Sequence, residues 1–210
     1  MPQVSHAKEK LLDSVLDLMY ARSYRDVGVQ EICEHAGVKK GSFYHFFPSK
    51  RDLTLAALDR QWEIARQELL ERAFTQRLPP LKRLERWFEL AHDFQCGVHL
   101  KDGKVRGCPF GNLAMELSTQ EEMIRRKVDR IFRDIAAYIE RALRDAVAAG
   151  EISNLNTSLT AQAIVAYMEG VMLLAKTRND PKLLKQLGQR TFRQVLTGLA
   201  PAAQSKTSKQ

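Results

Sequence analysis

Residues 29–53 read VQEICEHAGVKKGSFYHFFPSKRDL. Apolar side chains at Val29, Ile32 and Cys33, and again at Phe43 and Phe46, recur at helical spacing and not at the period of two that a strand requires. Gly37 breaks the run, and a glycine accepts the positive φ of a sharp turn. The spacing predicts a short helix over about 29–36, a turn, and a second short helix over about 40–46, which together form a helix-turn-helix. Ala36 is small enough for close helix approach, and Val38, Phe43 and Phe46 anchor the second helix on the first. Lys39, Lys40, Ser42, Tyr44 and His45 are left as the candidate outward face.

Outward from this stretch the pattern stays helical. Leu11, Leu12, Val15, Leu16, Leu18 and Met19 mark one face of a helix over about 7–20. Ser49-x-x-Asp52 resembles a capping box and opens a long helix to about Phe74. Leu78-Pro79-Pro80 starts another, expected to end near Cys96, with residues 97–107 a polar, basic connection. A short helix follows Cys108-Pro109, a long one runs from Thr119-x-x-Glu122 to Gly150, and two more fit 159–176 and 181–199. The expectation is an all-α chain of about nine helices. A small three-helix module over 1–50 precedes a larger helical body over 51–200 and a disordered tail over 201–210.

Composition narrows the classes. With 210 residues the chain is long enough to bury a core without metal or disulfide staples. The 33 Lys and Arg against 25 Asp and Glu leave a net charge of +8, which favours an acidic partner such as nucleic acid. The excess is not concentrated at the N-terminus: residues 1–60 hold nine Lys and Arg against eight acids. Within 37–51, however, Lys39, Lys40, Lys50 and Arg51 stand without a single acid. The apolar runs 163–168 and 171–175 are separated by Glu169 and Gly170, so no membrane span is expected. Charged residues from Lys8 to Asp17 interrupt any signal-peptide core, and Cys33, Cys96 and Cys108 form no disulfide framework. The chain reads as cytoplasmic.

Ile32, Ala36-Gly37-Val38, Gly41-Ser42-Phe43-Tyr44, Phe47, Ser49-Lys50 and Leu53 resemble, in combination, the TetR family of bacterial transcriptional regulators. The resemblance covers about residues 7–55. It implies that the helix over 40–46 lies in the major groove of double-stranded DNA, with Lys39, Lys40 and Ser42 near base edges. Tyr44, His45 and Lys50 would hold phosphates, and Gln30 would add a contact from the preceding helix. Position 28 departs from the family pattern: Gly28 stands where threonine is usual, so no phosphate role is carried to it.

The rest of the chain is read as sensor and dimer. The helix over 159–176 is apolar on most sides, and such a helix needs cover on both faces. The resemblance implies a homodimer through this helix and the last one. Its candidate interface is Ile164, Tyr167, Val171 and Met172 with Phe192, Val195 and Leu196. Trp62, Trp87, Phe88 and Phe94 are candidate walls of an apolar cavity, as are Phe110, Met115, Tyr138 and Met168. The resemblance implies that a small-molecule inducer fills such a cavity and releases a palindromic operator, making the protein a repressor. Cys108 is the remaining candidate. Pro109 suits a first helical position, so Cys108 falls at the helix N-cap, where the dipole and Arg106 favour a thiolate open to electrophiles or oxidants.

Two other classes find weaker support in the residues. His92, Cys96 and His99 have ligand-like spacing for a metal sensor, but no fourth ligand is evident and no metal or cofactor is expected. A small thiol-dependent enzyme using Cys108 lacks any sequence feature that would orient a base. The P-loop, Rossmann, nucleophile-elbow and HExxH motifs are absent.

Overall fold

A computed structural model describes residues 3–153 and 155–188. Among them there is no strand. Helix α1 spans Gln3–Ala21, α2 Val29–Ala36, α3 Lys40–Phe46, α4 Lys50–Ala65, α5 Pro80–Asp102, α6 Pro109–Leu117, α7 Glu122–Ala148 and α8 Thr157–Arg178. Residues 182–188 are helical as well. The expected last helix lies beyond residue 188 for most of its length, as do Phe192, Val195, Leu196 and the expected tail, all outside the described residues.

The start and stop signals work as their chemistry dictates. Gly37 takes φ 62°, and its N–H and that of Val38 return to the carbonyls of Glu34 and Cys33, closing α2. The Ser49 hydroxyl donates to Asp52 at 2.6 Å and accepts from the Asp52 N–H at 3.2 Å, which caps α4. Asn156 caps α8, accepting from the Leu159 N–H at 3.0 Å.

Two expectations need correction. Gly97 does not end α5, which continues to Asp102 and closes on Gly103 at φ 70°. A glycine inside a helix costs only about 1 kcal/mol, less than the surrounding turns return. The long helix opened by Ser49 is not uniform either: Arg66–Glu71 is a π-helical turn. Such a turn inserts a residue and rotates the next side chains by roughly 100° on the helix surface. Leu70 within it and Ala73 beyond it are buried.

The chain packs as two compact units. The first runs from the N-terminus to Leu69 and includes Arg106–Arg133; the second comprises Leu70–Val105 and the chain from Asp134 onward. The segment read as one domain over 51–200 is therefore shared between them. In the first unit Leu11, Val15, Ile32, Phe43 and Leu53 are fully buried and join α1, α2, α3 and α4 around one core. In the second, Phe88 is fully buried, and a Cβ at Gly188 would collide with its ring, so that glycine is what lets the backbone approach.

α8 is more continuously apolar than its two short runs suggest. An 18-residue window within it has a mean hydropathy of 1.4, which makes it long and apolar enough to cross a membrane by length and composition. Its Thr160, Ala161, Ile164, Met168, Val171 and Ala175 are nevertheless buried inside the fold, at the spacing of a core helix.

Candidate nucleic-acid interface

Helix α3 has seven residues, too few to be stable alone; packing holds it. Phe43 is its anchor, fully buried, with the Phe47 ring 6.3 Å away and the Tyr44 ring meeting it edge-on at 5.1 Å. Phe46 is only half-buried, so Phe47 shares the anchoring that the sequence assigned to Phe46. With Phe43 turned inward, helical geometry turns His45, two residues on, to the opposite side. Ser42 is half-buried, while Lys39, Lys40, Tyr44 and His45 are exposed. Tyr44 keeps 52% of its surface in solvent, which is unusual for a phenol with an apolar neighbour available.

Lys39, Lys40, Tyr44 and His45 are thus exposed on or beside α3, and no acid stands between residues 37 and 51. Gln30 on α2 donates to Glu34 at 2.8 Å, an i,i+4 pair. Glu31, the other acid of α2, is paired with Arg22. Gly28 precedes α2 in extended backbone at φ −86° and offers no side-chain cap. Cys33 is buried inside the fold, which pushes its thiol up.

Lys50 departs from expectation. Its ammonium donates to the carbonyls of Tyr24 at 2.7 Å and Val27 at 2.8 Å, and sits 4.0 Å from the centre of the Tyr24 ring. It is turned into the protein. Sequence reasoning missed the Tyr24 and Val27 carbonyls and Glu116 as its surroundings; no motif signals a side chain that binds backbone carbonyls.

The cavity candidates divide. In the first unit Trp62 meets the buried Phe110 edge-on at 6.4 Å. Met115 is 75% exposed and Phe94, in the second unit, 42% exposed, so neither lines a closed cavity. In the second unit Trp87 packs on Phe88 at 5.4 Å, and Phe74 touches both Trp87 and Tyr138. Met168 is buried as well. These side chains fill space with one another. A small apolar cleft in the first unit is lined by Leu16, Met19, Tyr20, Pro109, Asn112 and Leu113, none of them a candidate from the sequence.

Cys108 is the N-cap of α6, its sulfur accepting from the Gly111 N–H at 3.4 Å, with Pro109 at the first helical position. Arg106 pairs with Asp17 at 2.7 Å and lies over the Tyr20 ring. Burial, and next the nearby Cys108, push the Tyr20 phenol far above its ordinary range. His92 Nε2 lies 3.3 Å from the Cys96 sulfur, yet among the described residues no three His, Cys, Asp or Glu side chains are grouped to hold a metal.

The interface candidates on α8 also need revision. Ile164 and Val171 are buried within the chain itself and are not available to a partner. Tyr167 is half-buried, its ring against Phe88 and its hydroxyl donating to the Leu187 carbonyl at 2.9 Å. Met172 is half-buried. The side of α8 left open carries Leu159, Ala166, Gly170 and Leu173, and a Cβ on Gly170 would meet nothing.

Comparison with known proteins agrees with this geometry. The model described as bacterial regulatory proteins, tetR family, matches residues 11–57, and that for the tetracyclin repressor-like C-terminal domain matches residues 80–190. The chain belongs to the TetR family. The transcriptional regulator AcuR of Cereibacter sphaeroides is 32% identical over 91% of this chain and 85% of its own length. Among solved structures, a regulatory protein TetR from Rhodobacter sphaeroides has a TM-score of 0.78 at 30% identity, covering 90% of this chain and 98% of that one. The reduced form of Escherichia coli NemR has a TM-score of 0.75 at 25% identity, covering 90% and 97%. The protein is a TetR-family DNA-binding transcriptional regulator and not an enzyme. Repressors of this family bind DNA as dimers and respond to small molecules.

Proposed function

We propose that this TetR-family chain is a repressor that binds a palindromic operator as a homodimer and releases it when a small molecule engages the region outside the helix-turn-helix. The observation that carries this reading is the α3 surface: Lys40, Tyr44 and His45 exposed around a buried Phe43, Lys39 beside them, and no acid between residues 37 and 51. Lys39, Lys40 and Ser42 are assigned to base edges, Tyr44 and His45 to phosphates, and Gln30 to a supporting contact. One α3 reads too few base pairs for useful specificity, and two related by a two-fold axis read a palindrome. The open side of α8, with Leu159, Ala166, Gly170 and Leu173, is assigned to the second copy.

Selection from a random duplex pool tests this. Enrichment of a palindrome with half-sites about one helical turn or more apart supports the reading. Recovery of no sequence at all overturns it.

A second reading concerns the switch. Cys108 is half-buried at a helix N-cap, and the adjacent Pro109 lines one cleft with Leu16, Met19 and Tyr20 of α1, so a modified Cys108 would disturb the helix that braces α2 and α3. The related NemR structure is of a reduced form. A quinone that releases operator from the native protein and not from Cys108→Ser identifies covalent switching. Release that ignores the substitution assigns the switch to a non-covalent ligand, which must bind the DNA-incompetent state more tightly.

A further inference from the structure

The segment between α1 and α2 has no regular structure, so its carbonyls need partners from elsewhere. One side chain meets two of them. Lys50, the first residue of α4, donates to the Tyr24 and Val27 carbonyls. The Tyr24 ring takes a further side of the same ammonium. Glu116 of α6 accepts a hydrogen bond from the Ser23 hydroxyl and grips the same segment from another element. We propose that Lys50 is a positioning residue: it clasps the entry to α2 onto the start of α4 and so sets the angle at which α3 presents Lys39, Lys40 and Tyr44, without itself holding a phosphate.

Two features weigh against a phosphate. An ammonium has three donors, and two are already placed on carbonyls. The field at Lys50 is also set by acids: Glu116, Glu121 and Asp26 all act to keep it charged, against the burial that lowers its pKa. A phosphate approaching it would meet that negative surround. Arg51, the next residue, is exposed and stands outside this clasp.

The inference rests on the proposed DNA reading for its consequence, and its test separates the two. Full-length Lys50→Met and Lys50→Arg are compared with the native chain in two measurements. The first is amide hydrogen exchange across residues 22–32 without DNA. The second is affinity for the selected operator over a salt series. The clasp predicts faster exchange at 22–32 in both variants, because a guanidinium does not replace a compact ammonium between two carbonyls. It also predicts affinity about tenfold weaker, with the native salt slope, since no phosphate contact is lost. A salt slope reduced by about one in Lys50→Met, with native affinity restored by Lys50→Arg, overturns it in favour of a phosphate contact. Unchanged exchange at 22–32 in both variants overturns it too. Should the native chain select no operator, the DNA reading fails, and the exchange measurement alone decides the clasp.

Discussion

Helix α3 and helix α8 make an instructive pair. α3 is short and has one buried side chain, Phe43, with polar residues around much of the rest. α8 is 22 residues long and apolar nearly all round. In α3 each position has one physically sensible direction, and the sequence assigned Lys40, Tyr44 and His45 to the side on which they lie. In α8 two faces compete for the core on equal terms. Ile164 and Val171, expected at a partner, are inside, while Leu159 and Leu173 are outside. A contrast between polar and apolar residues tells which way a helix faces; abundance of apolar residues alone does not.

The comparison can be broken most forcefully at Phe43. Phe43→Ala removes the one buried anchor of a seven-residue helix and should destabilise the first unit by roughly 3–5 kcal/mol. Operator binding should be lost, with amide exchange within α8 unchanged; protection lost in both places would mean that α3 and α8 do not behave as separate cases. The two faces of α8 are told apart next. Ile164→Ala should lower stability by about 2–5 kcal/mol, measured by denaturant unfolding. Leu173→Glu should leave a folded chain that light scattering finds as a monomer. A Leu173→Glu protein that still dimerises would place the second copy elsewhere.

On the α3 side, Lys40→Ala should reduce operator affinity by about tenfold or more and relax preference at particular base pairs. Tyr44→Phe should weaken binding to every sequence alike. If both substitutions leave binding as it was, the outward face of α3 is not the reading face. The smallest effect belongs to the boundary between α3 and α4. Ser49→Ala removes a cap and should cost about 1 kcal/mol, seen as a melting temperature lower by roughly 2–4 °C.

The helix-turn-helix is legible in the sequence because its determinants are local: Gly37 takes φ 62° where the turn is expected, and Ser49 caps through Asp52. Cys108 is likewise legible as an N-cap, since Pro109 beside it restricts the choices. Lys50 is not, because its partners are the carbonyls of Tyr24 and Val27, and carbonyls are a property of every residue. Aromatic character marks out cavity candidates poorly. Aromatic side chains also fill cores, as Trp87 and Phe88 do, while the candidate Phe94 is exposed. The full length of α5 is hidden by Gly97, which reads as a stop although a single glycine only weakens a helix.

The two tryptophans fall one to each packing unit. Trp62 is half-buried beside Phe110 in the first, and Trp87 is buried between Phe74 and Phe88 in the second. The protein therefore carries its own pair of optical labels. A Trp87→Phe chain glows only from the unit that holds the helix-turn-helix, and a Trp62→Phe chain only from the other. The more enclosed Trp87 should emit at the shorter wavelength. With these two variants, light alone distinguishes which half of the molecule a ligand or an oxidant disturbs first.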